Sequence, residues 1–330
     1  MRLFELVKPY RTLSIIGMCK NAGKTTVLNR LIRDWPKEGG VLALTSIGRD
    51  GERTDLVTNT HKPEIYVKEG ALVATAEGLL RHCDVTMEII DTTGIPTPLG
   101  RVVLVRALSD GAVQLGGPSM NDQLSMLNTM FFHHGAGMVV IDGAISRKSL
   151  CAPAVSEATI LCTGASYSPS MAAAVEDTGY AAGLLTLEKS LMWNSVPESR
   201  VTLTDGRESL PAAGEGGLIE AVRRFDGIKG IFFKGALTDS VIRPLLTAQR
   251  RLDGIELTVE DASKLLIKRD AYQKLILKGA DIRVFTKTRL LMVAVNPVSA
   301  YGTDFDRVSF KRAVEMAVNV PVINVMEDAI

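Results

Sequence analysis

Thr12-Leu13-Ser14-Ile15-Ile16-Gly17-Met18-Cys19-Lys20-Asn21-Ala22-Gly23-Lys24-Thr25-Thr26 is the stretch that decides how this chain is read. The apolar run Thr12 to Ile16 predicts a buried strand. Lys24 to Asp34 predicts a helix with Val27, Leu28, Leu31 and Ile32 on one face. The turn between them ends in Gly-Lys-Thr. Amides in such a turn and at a helix N-terminus converge on one concavity and favour an anion there. Gly23 lets the backbone approach without a side chain in the way. Lys24 is expected to neutralise phosphate charge, and the Thr25 hydroxyl to hold Mg2+. Gly17, Lys20, Asn21, Ala22 and Thr26 complete the expected nucleotide-binding set, although Lys20 and Asn21 read equally as solvated loop residues. Gly17 precedes Gly23 by six positions rather than the usual five, and Met18 stands where the first glycine normally does. The competing reading is a chance Gly-Lys-Thr at a strand-to-helix junction. Cys19 reads either as a thiol activated by the helix N-terminus or as a tolerated small side chain.

Outward from this segment, short β-branched runs alternate with longer amphipathic ones. That alternation predicts an α/β fold on a largely parallel sheet with helices on both faces, plus a second, smaller α/β unit; through its Gly-Lys-Thr turn the sheet resembles the P-loop NTPase layer. Strands are expected at 41–45, 85–91, 102–108, 137–142 and 158–162, the second and third paired as a hairpin. A helix is expected from Ser119, as N-cap, to His133, and another over 168–178. The region from Pro197 to Gly217 is rich in Gly, Pro, Ser and charge and reads as a linker or surface excursion. The expected division is therefore a nucleotide-binding domain over 1–196, a linker over 197–228 and a second α/β unit over 229–330.

Composition narrows the function classes. The 330 residues carry 38 basic and 37 acidic side chains, a net charge of +1 that leaves no electrostatic footprint for nucleic acid or an anionic membrane. Cys19, Cys83, Cys151 and Cys162 show no Cys-x-x-Cys spacing, which argues against a zinc site or a disulfide framework. No secretory signal and no membrane-length apolar run is evident, so a cytoplasmic protein is expected.

A nucleotide site calls for a carboxylate at the end of a neighbouring strand to serve the metal. Met138-Val-Val-Ile-Asp142-Gly143-Ala144 ends a strongly apolar strand and resembles the Glu-Gly-Ala segment of dethiobiotin synthetase. Glu88-Ile-Ile-Asp91-Thr-Thr-Gly94 resembles the Asp-x-x-Gly element of GTPases. Asp142 is the first choice, with a catalytic role beside Lys24, and Asp91 the second. After the second strand, Asp50, Glu52 and Asp55 offer a further metal or substrate carboxylate, and Arg49 or Arg53 a clamp for an anionic substrate. No Asn-Lys-x-Asp guanine reader is present, which favours ATP without excluding GTP. His133-His134 lacks a third ligand and argues against a metal site. Asn296-Pro297 reads as a turn that ends a strand, with closure over a ligand as the alternative.

These segments, with Thr163-Gly-Ala-Ser-Tyr-Ser-Pro169, resemble the metabolic P-loop branch that includes dethiobiotin synthetase and the cobyrinate amidases. Ile145-Ser-Arg-Lys148 departs from dethiobiotin synthetase, which argues against its carboxylation chemistry. More narrowly, Lys20 to Thr26, Thr163 to Pro169, Asn296-Pro297 and Tyr301-Gly302 are similar to the smaller subunit of lysine 5,6-aminomutase reactivase. That resemblance implies an ATP- and Mg2+-dependent accessory protein of a MutS-like ATPase subunit, acting on a cobalamin-dependent aminomutase. An oligomer is expected. A stand-alone ligase or kinase that activates a small carboxylate, and a regulatory module without turnover, are the two other readings.

Overall fold

The computed structural model describes residues 3–48, 64–144, 152–212, 218, 220, 222, 227–249 and 251–325. Along the chain the elements are α1 (Leu3–Val7), β1 (Thr12–Gly17), α2 (Lys24–Arg33), β2 (Val41–Ser46), β3 (Ile65–Val67), β4 (Leu72–Ala76), α3 (Glu77–Leu80), β5 (Met87–Thr97), β6 (Gly100–Ala107), β7 (Gly111–Val113), α4 (Asn121–His133), β8 (Ala136–Ala144), β9 (Ala158–Gly164) and α5 (Met171–Leu185). A second group follows: β10 (Val201–Thr204), β11 (Ser209–Pro211), β12 (Gly230–Phe233), β13 (Leu237–Thr238), α6 (Asp239–Thr247), β14 (Glu256–Val259), β15 (Leu265–Leu266), α7 (Arg269–Leu277) and β16 (Asp281–Val284). The chain closes with β17 (Leu290–Asn296), α8 (Arg307–Ala317) and β18 (Val322–Asn324).

Two compact units result. One comprises Met1–Ala182 with Arg289–Ile330, the other Gly183–Thr288. The first is built on a nine-stranded sheet in the order β18-β17-β9-β1-β8-β2-β4-β6-β5. Pairing is parallel from β18 through β4, and the β5–β6 hairpin adds an antiparallel margin. Strand β1 is buried along its whole length, as a central parallel strand covered on both faces must be.

Alternation along the strands decides which helix covers which face. Leu13 and Ile15 of β1 and Ala158, Ile160 and Cys162 of β9 join Val27, Leu28, Leu31 and Ile32 of α2 in one apolar cluster. Those four helical side chains contribute on the order of 6–12 kcal/mol of transfer free energy, an upper value. Residues between them face the other way. Ser14 shares a 2.8 Å hydrogen bond with Thr159, and Thr163 shares one of 2.8 Å with Thr178 of α5. Because successive strand residues point to opposite faces, α2 and α5 lie on opposite sides of the sheet. The mixed α/β class and the helices on both faces agree with the sequence reading.

The domain division does not. Within 197–228, residues 201–211 are no linker: β10, whose Val-Thr-Leu-Thr run is buried, sits between β11 and β12 in a five-stranded sheet ordered β11-β10-β12-β14-β16. Nor do residues 229–330 form one unit, since β17 and β18 complete the first sheet. The second unit runs from 183 to 288, with β12, β14 and β16 parallel. Helix α4 also starts later than expected. Its N-cap is Met120, not Ser119, and no side chain caps it. No helix among the described residues is long and apolar enough to cross a membrane.

Candidate functional site

In the first sheet the connection after β1 runs to β2 on one side, and the chain later passes from β8 across β1 to β9 and on to β17 on the other, so the strand order reverses at β1. Ligand crevices in open α/β sheets form at such a switch point, beyond the carboxyl ends of the strands. Gly17, Asp142 to Ala144, Gly164 and Asn296 all stand at those ends, as the pairing of Ile15 with Asp142, Gly17 with Ala144, Gly17 with Cys162 and Asn296 with Gly164 requires.

The turn after β1 is anchored first by Met18, whose amide donates to the Cys162 carbonyl at 2.8 Å. Asn21 then takes φ 59°, the one non-glycine residue with positive φ among the described residues. Gly23 takes φ 94° and serves as N-cap of α2. Helices normally begin with a capping Ser, Thr, Asp or Asn and with acids in the first turn. Helix α2 has neither: Gly23 offers no capping side chain, the first turn holds no acid, and its first residue is Lys24. The positive end of the helix dipole thus meets a like charge from its own chain. An anion from outside satisfies both.

Lys24 folds back over Gly17. A Cβ at Gly17 would lie 2.9 Å from both Cγ and Cδ of Lys24 and 3.1 Å from its Nζ, so a larger residue there would push the Lys24 side chain off this position. The Lys24 ammonium is 3.5 Å from the Cys19 carbonyl, a long contact that leaves it able to exchange partners. Thr25 and Thr26 are half-buried and Lys20 is exposed. Ala22 is fully buried in the apolar cluster, so only its backbone is available to a ligand.

Asp142 is buried on β8 and pairs across the sheet with Ile15 and with Ser46. Its carbonyl accepts the Ile47 amide at 3.0 Å, which ties the end of β2 to the same edge. Lys24 and Asp142 act on one shared neighbour. Burial pushes the Cys162 thiol up to about 12, Lys24 opposes the shift and Asp142 adds to it. Two opposite charges therefore sit within electrostatic reach of the strand adjoining β1.

Asp91 is not brought to this place. It lies on β5, at the sheet margin, with β6, β4, β2 and β8 between it and β1. Five strand spacings amount to about 24 Å. Its carboxylate is 3.0 Å from His134 Nε2, and that hydrogen bond, with one from the Thr92 amide, holds it below the usual carboxylate range. Asp91 thus gains a structural partner at the end of α4, the His134 side chain. Asp50, with Arg49, Glu52, Arg53 and Asp55, lies outside the described residues. Among the described residues no group of three or more His, Cys, Asp or Glu is placed to hold a metal ion.

The Cys19 thiol is not activated. Burial raises it from 9.0 to about 11, and the nearby Lys24 charge only partly offsets this. Sequence reasoning undervalued Asn296. Rather than forming a local turn alone, its amide Nδ2 donates to the Asn21 carbonyl at 3.1 Å. The signal was a strand-ending asparagine beside Pro297, but its partner lies 275 residues away.

Comparison with known proteins finds no matching family model, no matching curated protein and no matching solved structure.

Proposed function

We propose that this chain binds a magnesium nucleoside triphosphate, ATP in preference to GTP, at Gly17 to Thr26, and hydrolyses it in the service of a partner protein. The observation that carries the reading is the first turn of α2, uncapped and free of acids, with Lys24 folded over Gly17 at a sheet switch point. A ligand with a chain of negative charges complements that arrangement.

The chain's own groups have distinct tasks. Amides of the turn and of the first turn of α2 donate to phosphate oxygens. The Lys24 ammonium adds a charge-assisted contact. The Thr25 hydroxyl and the Asp142 carboxylate are the oxygen donors that would hold Mg2+, a cation that takes oxygen ligands and keeps several waters. Bound there, Mg2+ supplies further neutralisation of phosphate charge.

An accessory role, reactivating a cobalamin-dependent aminomutase together with a MutS-like ATPase subunit, is supported by the short motifs at Lys20 to Thr26, Thr163 to Pro169 and Asn296-Pro297. Titration calorimetry with MgATP and MgGTP tests the binding. Lys24→Ala should weaken MgATP by about 2–4 kcal/mol, the scale of one or two charge-assisted hydrogen bonds. Equal affinity in wild type and variant would remove the premise. Partner-stimulated phosphate release, measured with the candidate ATPase subunit and aminomutase, tests the accessory role.

A further inference from the structure

We propose that Asn296 is the positioning residue of the phosphate loop, holding Asn21 in the left-handed conformation that the loop needs to receive polyphosphate. The inference rests on the nucleotide reading above and adds to it a determinant from a strand remote in sequence.

Three contacts fix Asn296 itself. Its Oδ1 accepts the Val298 amide at 3.1 Å, and its carbonyl accepts the Ala165 amide at 2.9 Å. Its backbone lies so close to β9 that a Cβ on Gly164 would stand 2.5 Å from the Asn296 carbonyl oxygen. On its other side, a Cβ on Gly23 would stand 3.3 Å from the Asn296 Cβ. The side chain is thus wedged between the loop and the β9 end, and Nδ2 is left aimed at the Asn21 carbonyl.

Asn21 needs such support. Its own Nδ2 is buried with no hydrogen-bond partner, so that amide does not stabilise the local backbone. A non-glycine residue with φ near 60° is held there by its surroundings. The Asn296 bond is the interaction that reaches it from a rigid strand, in the way that supporting groups fix the ligands of a preorganised site.

The test is a double-mutant cycle between Asn296→Ala and Asn21→Gly, read by calorimetric titration with magnesium tripolyphosphate and with MgATP. Asn296→Ala should weaken both ligands about tenfold, the scale of one hydrogen bond to a backbone carbonyl. Glycine enters the left-handed region without a Cβ penalty, so Asn21→Gly should recover part of that loss in the double variant. Unchanged tripolyphosphate affinity in Asn296→Ala overturns the proposal, whether or not the melting temperature falls. So does a loss confined to MgATP, which would make Asn296 a contact to the nucleoside, and so does strict additivity of the two changes. A wild-type chain that binds neither ligand overturns the nucleotide reading and this inference together.

Discussion

Replacing Gly23 with alanine probes the backbone of the candidate site directly. A Cβ in the left-handed region costs roughly 1–2 kcal/mol. This one would also stand 3.2 Å from Val325 Cγ2 and 3.3 Å from the Asn296 Cβ, so its neighbours must shift by a few tenths of an ångström. Displacing side chains from their rotamers adds about 0.5–1.5 kcal/mol. Against this, alanine restricts the unfolded chain and returns about 0.4–1 kcal/mol. The net expectation is a loss of about 1–2.5 kcal/mol. In a unit of this size 1 kcal/mol moves Tm by about 2–4 °C, so the variant should melt roughly 5 °C lower. Calorimetric scans of wild type and variant measure the shift, and titration with MgATP should show weakened binding in the same variant. An unchanged or raised Tm would mean that residue 23 does not occupy the left-handed conformation, and the argument for the turn would collapse.

Gly183→Ala has the opposite sign: this exposed glycine lies within α5, nothing stands within 4 Å of a Cβ there, and Tm should rise with a gain of about 0.5–1 kcal/mol. Asp142→Asn should impair Mg2+-dependent nucleotide hydrolysis while Asp91→Asn leaves it intact, as measured by phosphate release; the reverse ranking would mean that the sheet order misleads. Cys19, held up from 9.0 to about 11, keeps a proton between pH 9 and 11 that the unfolded chain has lost, so its contribution to stability is complete below pH 9 and falls away through that window. Urea midpoints across pH 8–11 should therefore decline less steeply in Cys19→Ala than in wild type, and parallel slopes would argue against the buried thiol.

Features set by neighbours in sequence were legible. The β1–turn–α2 segment is specified by residues within about two helical turns of one another, and the β5–β6 hairpin joins strands that adjoin in the chain. Asp142 was legible because its strand is apolar on both faces. What escaped was strand order. Asp91 sits on a segment correctly read as a strand, yet nothing local says that β6, β4, β2 and β8 separate it from β1. The same holds for β17, whose pairing with β9 spans more than a hundred residues, and hence for Asn296. The supposed linker misled for a different reason, because β10 is a four-residue strand embedded in polar sequence and its burial comes from β11 and β12 rather than from its own length.

The excursion of residues 183–288 begins and ends at one spot: Lys287 reaches Glu188 at 2.9 Å, and Lys189 bridges to Val284. Entry and exit of that unit are therefore adjacent, and a short glycine–serine connector in place of residues 190–284 should span the gap. During synthesis, however, the larger sheet must wait. Its strands β17 and β18 leave the ribosome only after the whole excursion has emerged, so Asn296 reaches Asn21 late, and until then the turn after β1 lacks its brace.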